Sequence, residues 1–336
     1  MLRLATKVCT MDLSIVIPVY NEEESVVALC QTLDAALKPL SQHYEVLLVD
    51  DGSTDQTPVL LRELVQTYSY LRVIRFRRNF GQTAAMSAGF HHAQGEVVIT
   101  LDADLQNDPA DIPLLLAKMD EGVDVVSGWR KHRQDPFWSR RLPSMLANGL
   151  ISRITGVALH DYGCTLKAYR RDIIKDVHLY GEMHRFIPAL ASWVGGRVTE
   201  VPVQHHPRRF GTSKYGLSRT VRVILDLITV KFLMRYSLGP MQMFGKIGLM
   251  FLVPALLLFA LMIGTHLSFL FFGTTVGAEL VKRPFWLVSA TMLSFLGVQF
   301  ISMGLLAEIQ IRTYHESQDK RTYVIRECWP EETKGT

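Results

Sequence analysis

Two long stretches of the sequence contain no charged residue. Residues 247–264 read IGLMFLVPALLLFALMIG, and residues 285–307 read FWLVSATMLSFLGVQFISMGLLA. About 20 apolar residues in a helix span the hydrocarbon core of a bilayer, and buried helices of soluble proteins seldom run this long without a polar face. We therefore predict an integral membrane protein with two transmembrane helices towards its C-terminal end.

Positively charged residues flank these two stretches. Cytoplasmic flanks of membrane helices are enriched in Lys and Arg, so we expect both flanks on the cytoplasmic side, although Lys282 and Arg283 in the connecting loop oppose this orientation. The first ten residues lack the apolar core of a secretory signal, which agrees with a cytosolic globular part. The flanking residues are Lys231, Arg235, Lys246, Arg312, Lys320, Arg321 and Arg326.

The preceding residues alternate apolar, β-branched runs with segments of helical spacing. The runs at 13–20, 44–50, 71–76 and 96–101 predict strands, and intervening segments such as 79–93 predict helices. This alternation predicts an α/β fold with a mostly parallel, helix-covered sheet and right-handed crossovers. We divide the chain into a globular domain (1–210), a juxtamembrane segment (211–240), the two transmembrane helices (241–310) and a cytosolic tail (311–336).

Polar side chains, mostly carboxylates, follow three of these strands. Ligands bind beyond the carboxyl ends of the strands in such sheets. Carboxylates gathered there repel one another unless a cation lies among them, and oxygen ligands suit Mg²⁺ or Mn²⁺. No Gly-x-x-x-x-Gly-Lys or Gly-x-Gly-x-x-Gly motif follows a strand, so a metal ion is expected to hold any diphosphate. The residues are Asn21, Glu22, Asp50, Asp51, Asp102, Asp104 and Asp108.

Charge and cysteine content narrow the classes of partner. The formal net charge of +4 is mild, which favours contact with anionic lipid headgroups over a nucleic-acid partner. The cysteines Cys9, Cys30, Cys164 and Cys328 show no paired spacing of a zinc or redox motif. We expect them to be reduced, structural thiols.

Six segments together resemble a known family. IVIPVYNEE, LLVDDGSTD, RNFGQTAAMSAGF, LDADLQNDP, VSGWRKHR and RRFGTSKYG occur in the order found in family 2 glycosyltransferases of the GT-A fold. Within this family the chain is similar to the polyprenyl-phosphate glycosyltransferases, which include dolichyl-phosphate mannose synthase and bactoprenol glucosyltransferases. The resemblance covers about residues 12–238. The Gln-x-x-Arg-Trp motif of processive members does not occur, which favours transfer of a single sugar.

The resemblance implies a donor side. There, Asp50 would hold the base or the ribose of the nucleotide, and Asp51 would line the same pocket. Asp104 would reach a Mg²⁺ or Mn²⁺ ion directly and would be a catalytic residue, with Asp102 and Gln106 completing the metal set. The other residues bordering the nucleotide sugar would be Pro18, Tyr20, Asn21, Glu22 and Ala103, together with Asp102.

A second implied group would bind the acceptor, a polyprenyl phosphate. A phosphate monoester has a second pKa of about 6 and is mostly a dianion at neutral pH, so a strong general base is dispensable. Arg130, Arg140 and Ser144 would hold this phosphate, in a segment where basic and aromatic residues mix. Asp161 has three alternatives: it orients the phosphate or its arginines, it acts as the base, or it caps a turn. We include Arg130 and Asp161 among the catalytic candidates.

Two further segments border the bilayer in this interpretation. In residues 205–216, Arg208, Arg209 and Lys214 could fold over the diphosphate as a lid, whereas His205 and His206 are interpreted as loop residues. Residues 216–240 have polar side chains at three-to-four spacing, which is typical of a helix in the membrane surface.

The sequence thus predicts an inverting, metal-dependent hexosyltransferase at the cytoplasmic face of the plasma (inner) membrane. The expected donor is UDP-glucose and the expected acceptor is undecaprenyl phosphate. Alternatives are the same reaction with GDP-mannose or a UDP-aminoarabinose derivative, or a catalytically idle membrane scaffold. Bare two-span anchors often associate in bilayers, so a homo-oligomer such as a tetramer is a further expectation.

Overall fold

The structure is a computed structural model. It describes residues 11–131, 142–175, 177, 179, 183–207, 218–236, 239–273 and 284–317. Contacts divide the chain into two units, Met1–Lys231 and Phe232–Thr336. The finer division into four segments stays a prediction.

The first unit contains a seven-stranded sheet among its described residues. Its strand order is β3-β2-β1-β4-β6-β5-β7, and β6 alone runs antiparallel to its neighbours. The predicted mostly parallel sheet is therefore confirmed. The three short strands β5, β6 and β7 were not predicted. The strands are β1 Leu13–Val19, β2 Tyr44–Asp50, β3 Leu71–Arg75, β4 Val97–Thr100, β5 Val125–Trp129, β6 Lys167–Arg170 and β7 Val198–Pro202.

Helices cover both faces of the sheet because alternate strand residues are apolar on both sides. Ile15 and Ile17 belong to one buried cluster with Leu29 and Leu33 of a helix, whereas Val16 belongs to another with Met86. Each such side chain contributes about 1.5–3 kcal/mol by burial. The helices of this unit are α1 Val26–Leu37, α2 Thr57–Thr67, α3 Gln82–His92, α4 Ile112–Asp120, α5 Leu142–Thr155, α6 Arg171–Lys175 and α7 Ile187–Trp193.

A crevice opens between β1 and β4, where the strand order reverses. Pairing of these strands ends at Val16 and Thr100, and the last bond across this gap runs from Leu101 N–H to Val16 O. The backbone of Pro18 faces the same neighbouring strand as that of Val16, but β4 no longer pairs with β1 at this point. The N–H that Pro18 lacks would therefore have had no strand partner. This switch point is the usual ligand position in such sheets.

The reversed strand β6 brings another part of the chain to this edge. Residues that follow the parallel strands β4 and β5 lie at the carboxyl edge, and so do residues that precede β6. Asp102 and Asp104 follow β4, Arg130 follows β5, and Asp161 precedes β6. Four of the predicted site residues therefore converge from three strands.

The helix α8, Ser218–Tyr236, occupies most of the predicted interfacial segment. Leu227 and Val230 are buried, whereas Leu225 and Ile228 are exposed. The helix thus carries apolar side chains on an exposed face as well as a buried one, which is the pattern expected of a helix in a membrane surface.

The second unit contains two long apolar helices, α9 Pro240–Phe272 and α10 Pro284–Ser317. By length and composition, Pro240–Phe272 and Pro284–Gln310 can each cross a membrane. Glycines let them approach closely, because a Cβ added at Gly297 would lie 2.9 Å from Gly248 O. Small residues at such contacts are common between membrane helices.

Candidate active site

The loop after β4 carries the Asp-x-Asp pair. Asp102, Ala103 and Asp104 follow the strand, and Leu105 then adopts a left-handed conformation with φ 58°. The N–H of Gln106 donates to Asp104 Oδ1 at 3.1 Å. This conformation is costly for a residue with a branched side chain, and it turns the chain sharply between Asp104 and Gln106, two of the three predicted metal ligands.

Asp102 has an unfavourable electrostatic environment. Burial and the charge of Asp104 raise its pKa to about 6, although a hydrogen bond from Thr165 and the charges of Arg130 and Lys167 act in the opposite direction. Gln82 Nε2 donates to Asp102 Oδ1 at 2.9 Å. A cation bound between the two carboxylates would relieve this repulsion.

The residues present fit a Mg²⁺ or Mn²⁺ ion that takes its other ligands from a substrate. No group of three or more His, Cys, Asp or Glu side chains able to hold a metal occurs among the described residues. Mg²⁺ in phosphate sites commonly uses one or two carboxylates, water and phosphate oxygens. Asp102, Asp104 and the amide oxygen of Gln106 supply this kind of incomplete oxygen set.

Asp108, the third carboxylate of this loop, is used structurally. It accepts the N–H of Ala110 at 2.9 Å and lies 3.0 Å from His206 Nε2. Burial acts to raise the pKa of Asp108, but these hydrogen bonds lower it below its ordinary value. His206 also donates its N–H to Gln106 O at 2.8 Å, and His205 pairs with Asn107. Both histidines are loop residues, as predicted, and they tether the start of the expected lid to the Asp-x-Asp loop.

The loop after β1 is tied to the loop after β2. Asn21, in a left-handed conformation with φ 52°, donates its N–H to Ser53 Oγ and accepts the N–H of Thr54, both at 2.9 Å. The Glu22 N–H donates to Thr57 Oγ1 at 2.9 Å. Pro18, Tyr20, Asn21 and Glu22 are all partly buried at this edge.

Asp50 lines a surface cavity of about 440 Å³, within the range of small-molecule sites. Its carboxylate is fully buried, and Oδ1 accepts the Ser53 N–H at 2.8 Å. Oδ2 lies 3.1 Å from Arg75 Nε without the alignment of a hydrogen bond. The cavity is lined by Asp50, Pro58, Leu61, Arg62, Val65, Gln66, Val73 and Arg75.

Asp51 holds a neighbouring loop. Its two oxygens accept the N–H groups of Phe80 at 2.7 Å and Gly81 at 2.9 Å. Gly52, with φ 70°, packs so closely against the backbone of Arg78 that a Cβ would overlap it. Asp51 thus fixes the loop leading into α3, and its predicted contact with the nucleotide stays a prediction.

Arg130 and Asp161 form a buried, two-pronged ion pair. Arg130 Nε donates to Asp161 Oδ2 at 2.7 Å, and Nη2 donates to Oδ1 at 3.0 Å. The side chains are 13% and 3% exposed. Burial opposes the charge of Arg130, but the hydrogen bond and attraction from Asp161 outweigh it and raise the pKa of Arg130. Of the three alternatives for Asp161, this geometry fits the one in which it orients an arginine, and the Gly163 N–H that donates to Oδ1 at 3.1 Å also fits the turn cap.

The remaining predicted acceptor and lid residues differ in what the structure describes. Ser144 lies in the first turn of α5 and is partly buried. Arg140, Arg208, Arg209 and Lys214 lie outside the described residues, so their roles stay predictions.

Three basic residues near Asp102 were not predicted from the sequence. Lys167, His184 and Arg185 line a small cavity together with Asp102. Lys167 begins the strand β6, Lys-Ala-Tyr-Arg, and its side chain is buried, which is unusual for an ammonium group but is not visible in the sequence. The others lie in a 3-10 turn, Met183–Phe186, without a recognisable motif.

The sheet, its switch-point carboxylates and the buried cation beside them define a GT-A type nucleotide-sugar-binding fold. Residues 14–178 match the family model described as glycosyl transferase family 2. The chain is 45% identical to dodecaprenyl-phosphate galacturonate synthase from Rhizobium johnstonii, over 97% of this chain and 95% of that protein. It is 40% identical to undecaprenyl-phosphate 4-deoxy-4-formamido-L-arabinose transferase from Salmonella paratyphi A, over 96% and 95% of the two chains.

Solved structures share the fold at lower identity. Glucosyl-3-phosphoglycerate synthase from Mycobacterium tuberculosis, in complex with Mn²⁺, UDP and phosphoglyceric acid, matches with a TM-score of 0.51 at 16% identity, covering 67% of this chain and 78% of that one. The same enzyme with Mg²⁺ and UDP also gives a TM-score of 0.51, at 17% identity and covering 67% and 79%. The chain belongs to glycosyltransferase family 2 and is a glycosyltransferase.

Proposed function

We propose that this protein transfers one sugar from a nucleotide diphosphate sugar to a polyprenyl phosphate at the cytoplasmic surface of the inner membrane. The observation that carries this proposal is the position of Arg130. It is buried, fixed by Asp161, and close enough to Asp102 for its charge to oppose the rise in the pKa of that carboxyl. A buried cation suited to bind a phosphate therefore lies beside the carboxylates of the predicted donor side.

The relatives support this choice of acceptor. Their names give dodecaprenyl phosphate and undecaprenyl phosphate as acceptors, and both match over nearly their whole length. Two apolar helices long enough to span a membrane would keep the site near lipid headgroups, where a polyprenyl phosphate presents its reactive group.

The donor would bind between the loops after β1, β2 and β4. Asp50 would contact the base or ribose within the cavity that it lines, and Asp51 would hold the loop at Phe80 and Gly81 in place. Asp102, Asp104 and Gln106 would hold the Mg²⁺ or Mn²⁺ ion with the diphosphate. When bound, the ion stabilises the negative charge that develops on the departing diphosphate.

The acceptor phosphate would be held by Arg130, with Arg140 and Ser144 as further predicted ligands. An oxygen of the phosphate dianion attacks the anomeric carbon, and the bond from that carbon to the diphosphate oxygen breaks with its electron pair leaving on the diphosphate. One in-line displacement inverts the anomeric configuration. Because the attacking oxygen is already deprotonated at neutral pH, Asp161 is free to orient Arg130 instead of acting as a base.

The donor sugar is the less constrained part of the proposal. UDP-glucose stays a prediction. The names of the two relatives add galacturonate, a hexuronic acid, and 4-deoxy-4-formamido-L-arabinose as candidates. The two-span anchor keeps a homo-oligomer, such as a tetramer, as a prediction.

A lipid-partition assay tests the proposal. Purified full-length protein is incubated with undecaprenyl phosphate, Mn²⁺ or Mg²⁺, and a panel of radiolabelled nucleotide sugars. We expect one label to enter the lipid phase, and we expect EDTA to abolish this transfer. Failure of every nucleotide sugar to label the lipid, with protein that still binds UDP, would contradict the proposal.

A further inference from the structure

A small cavity adjoins Asp102 in the first unit. Its volume is about 30 Å³, and its wall is formed by α3, the segment before β6 and the 3-10 turn Met183–Phe186. The lining residues are Gln82, Met86, Asp102, Tyr162, Gly163, Cys164, Thr165, Lys167, His184 and Arg185.

The cavity lies between the donor and acceptor sides of the proposed site. Asp102 forms part of its wall. Gly163, at another part of the wall, packs against the ion pair, because a Cβ there would lie 3.3 Å from Arg130 Nη2 and 3.5 Å from Asp161 Oδ1. A sugar passing from a diphosphate held at Asp102 to a phosphate held at Arg130 would lie next to this cavity.

The wall carries more positive than negative charge. Lys167 is buried, and its ammonium group donates to the carbonyl oxygens of Tyr162 and Cys164. Burial lowers the pKa of Lys167 to about 8, so it is mostly protonated at neutral pH. His184 is also buried, with Nδ1 placed 2.8 Å from the Thr83 hydroxyl. Arg185 adds a guanidinium, and among the described lining residues Asp102 supplies the one carboxylate.

The size of the cavity selects a substituent and not a whole sugar. One water needs about 10–15 Å³ of such volume, so a space of about 30 Å³ holds two or three atoms of that size. A carboxylate presents two oxygens, and a guanidinium binds them in parallel with favourable geometry. The hydroxymethyl group of a neutral hexose presents one oxygen and no charge.

We infer that this cavity receives the carboxylate of the donor sugar, and hence that the donor is a nucleotide-linked hexuronic acid recognised through Arg185. The inference rests on the proposed function and names its substrate class. Of the donors considered above, the uronic acid alone carries a carboxylate. Lys167 acts as a neighbour that keeps the wall positive, with Arg185 as the direct contact.

A comparison of two donors tests the inference without any substitution. UDP-galacturonate and UDP-galactose differ only in the carboxylate or hydroxymethyl group at C6. With undecaprenyl phosphate and Mn²⁺, we expect kcat/KM for UDP-galacturonate to exceed that for UDP-galactose by about 100-fold or more, because a site built for a charged group rejects the analogue that lacks it.

Substitution of Arg185 tests the contact itself. We expect Arg185→Gln to lower kcat/KM for UDP-galacturonate by about 10- to 100-fold, mainly through KM. Arg185→Lys keeps the positive charge, so we expect it to lower kcat/KM less than Arg185→Gln does. Arg153→Gln, at an exposed position in α5, is the matched control and should equal the wild type. Binding of UDP alone, measured by calorimetry, should be the same in all four proteins, which also verifies folding.

The outcomes separate the inference from the proposed function. If sugar is transferred from UDP-galactose, UDP-glucose or UDP-4-deoxy-4-formamido-L-arabinose as efficiently as from UDP-galacturonate, the carboxylate site is contradicted. The proposed transferase activity would not be affected by that result. Equal KM values for UDP-galacturonate in the wild type and Arg185→Gln would also overturn it. Absence of any transfer to lipid, with UDP binding intact, would count against the proposed function instead.

Discussion

Arg130 and Asp161 meet through two parallel hydrogen bonds, of 2.7 and 3.0 Å, across 31 positions of sequence. Both side chains are largely withdrawn from water. The N–H of Gly163 donates to the same carboxylate at 3.1 Å. A guanidinium held in this way has a fixed orientation before any phosphate arrives, which lowers the cost of ordering it on binding.

Breaking this pair should impair both stability and acceptor use. We expect Asp161→Asn to lower the free energy of unfolding by about 3–5 kcal/mol, because a buried charge loses its partner, and to raise KM for the polyprenyl phosphate. A double-mutant cycle with Arg130→Gln should give strongly non-additive effects. A near wild-type turnover and melting temperature for Asp161→Asn would remove Asp161 from the site.

Neutralising Asp104 should abolish most activity without unfolding the protein. We expect Asp104→Asn to lower kcat by about 100-fold or more, since it removes a predicted ligand from an electrostatic site. Activity assays over a Mn²⁺ titration measure this effect. Asp120→Asn, at an exposed position in α4, makes the same chemical change elsewhere and should behave as the wild type.

Asp51 should stabilise the loop at Phe80 and Gly81. Asp51→Asn replaces one of two acceptor oxygens by an amide donor, so one backbone N–H loses its bond at a cost of about 1–3 kcal/mol. Hydrogen exchange followed by mass spectrometry should show faster exchange of the peptide containing Phe80 and Gly81. Unchanged exchange in that peptide would show that other contacts hold the loop.

The close helix contact in the second unit should tolerate no side chain. A Cβ at Gly297 would lie 2.9 Å from Gly248 O and 3.0 Å from Leu252 Cβ, whereas nothing lies within 4 Å of a Cβ at Gly264. We expect Gly297→Ala to lower the melting temperature in detergent. Gly264→Ala should leave it unchanged or raise it, because Ala favours helix over Gly by about 1 kcal/mol.

The described cysteines should resist alkylation in the folded protein. Burial raises the pKa of both Cys30 and Cys164 to about 11 from 9, which reduces the thiolate fraction at pH 8 by about 100-fold. Mass spectrometry after iodoacetamide treatment should find both unlabelled until the protein is denatured. Because folding favours the protonated thiols, their contribution to stability should be lost as the pH rises from 9 through 11. Equal labelling of native and denatured protein would contradict this account.

Strands β1, β2 and β4 could be predicted because their apolar runs are buried on both faces, and the partly buried β3 could be predicted from its apolar residues Leu71, Val73 and Ile74. β6 could not, because it has four residues and contains Lys167, and β7 includes Thr199 and Glu200 within its five residues. These strands depend on neighbours distant in sequence, which periodicity does not reveal.

More of the donor side than of the acceptor side could be predicted, because the donor side depends less on contacts between residues distant in sequence. Asp102 and Asp104 directly follow a recognisable strand, so the sequence places them at the sheet edge. The role of Asp161 depends on Arg130, and their meeting depends on the direction of β6. The basic cavity draws residues from Gln82 to Arg185, so no short motif marks it.

The direction of β6 also affects how such a chain can diversify. Because β6 is antiparallel to β5, the end of β5 at Trp129 and the start of β6 at Lys167 lie at the same carboxyl edge of the sheet. The segment between them is therefore an insert with both joints on one rim, and its length is not fixed by the span of a crossover helix. Exchanging it between related chains would change the predicted acceptor ligands Arg140 and Ser144 while β1 to β4 keep their register.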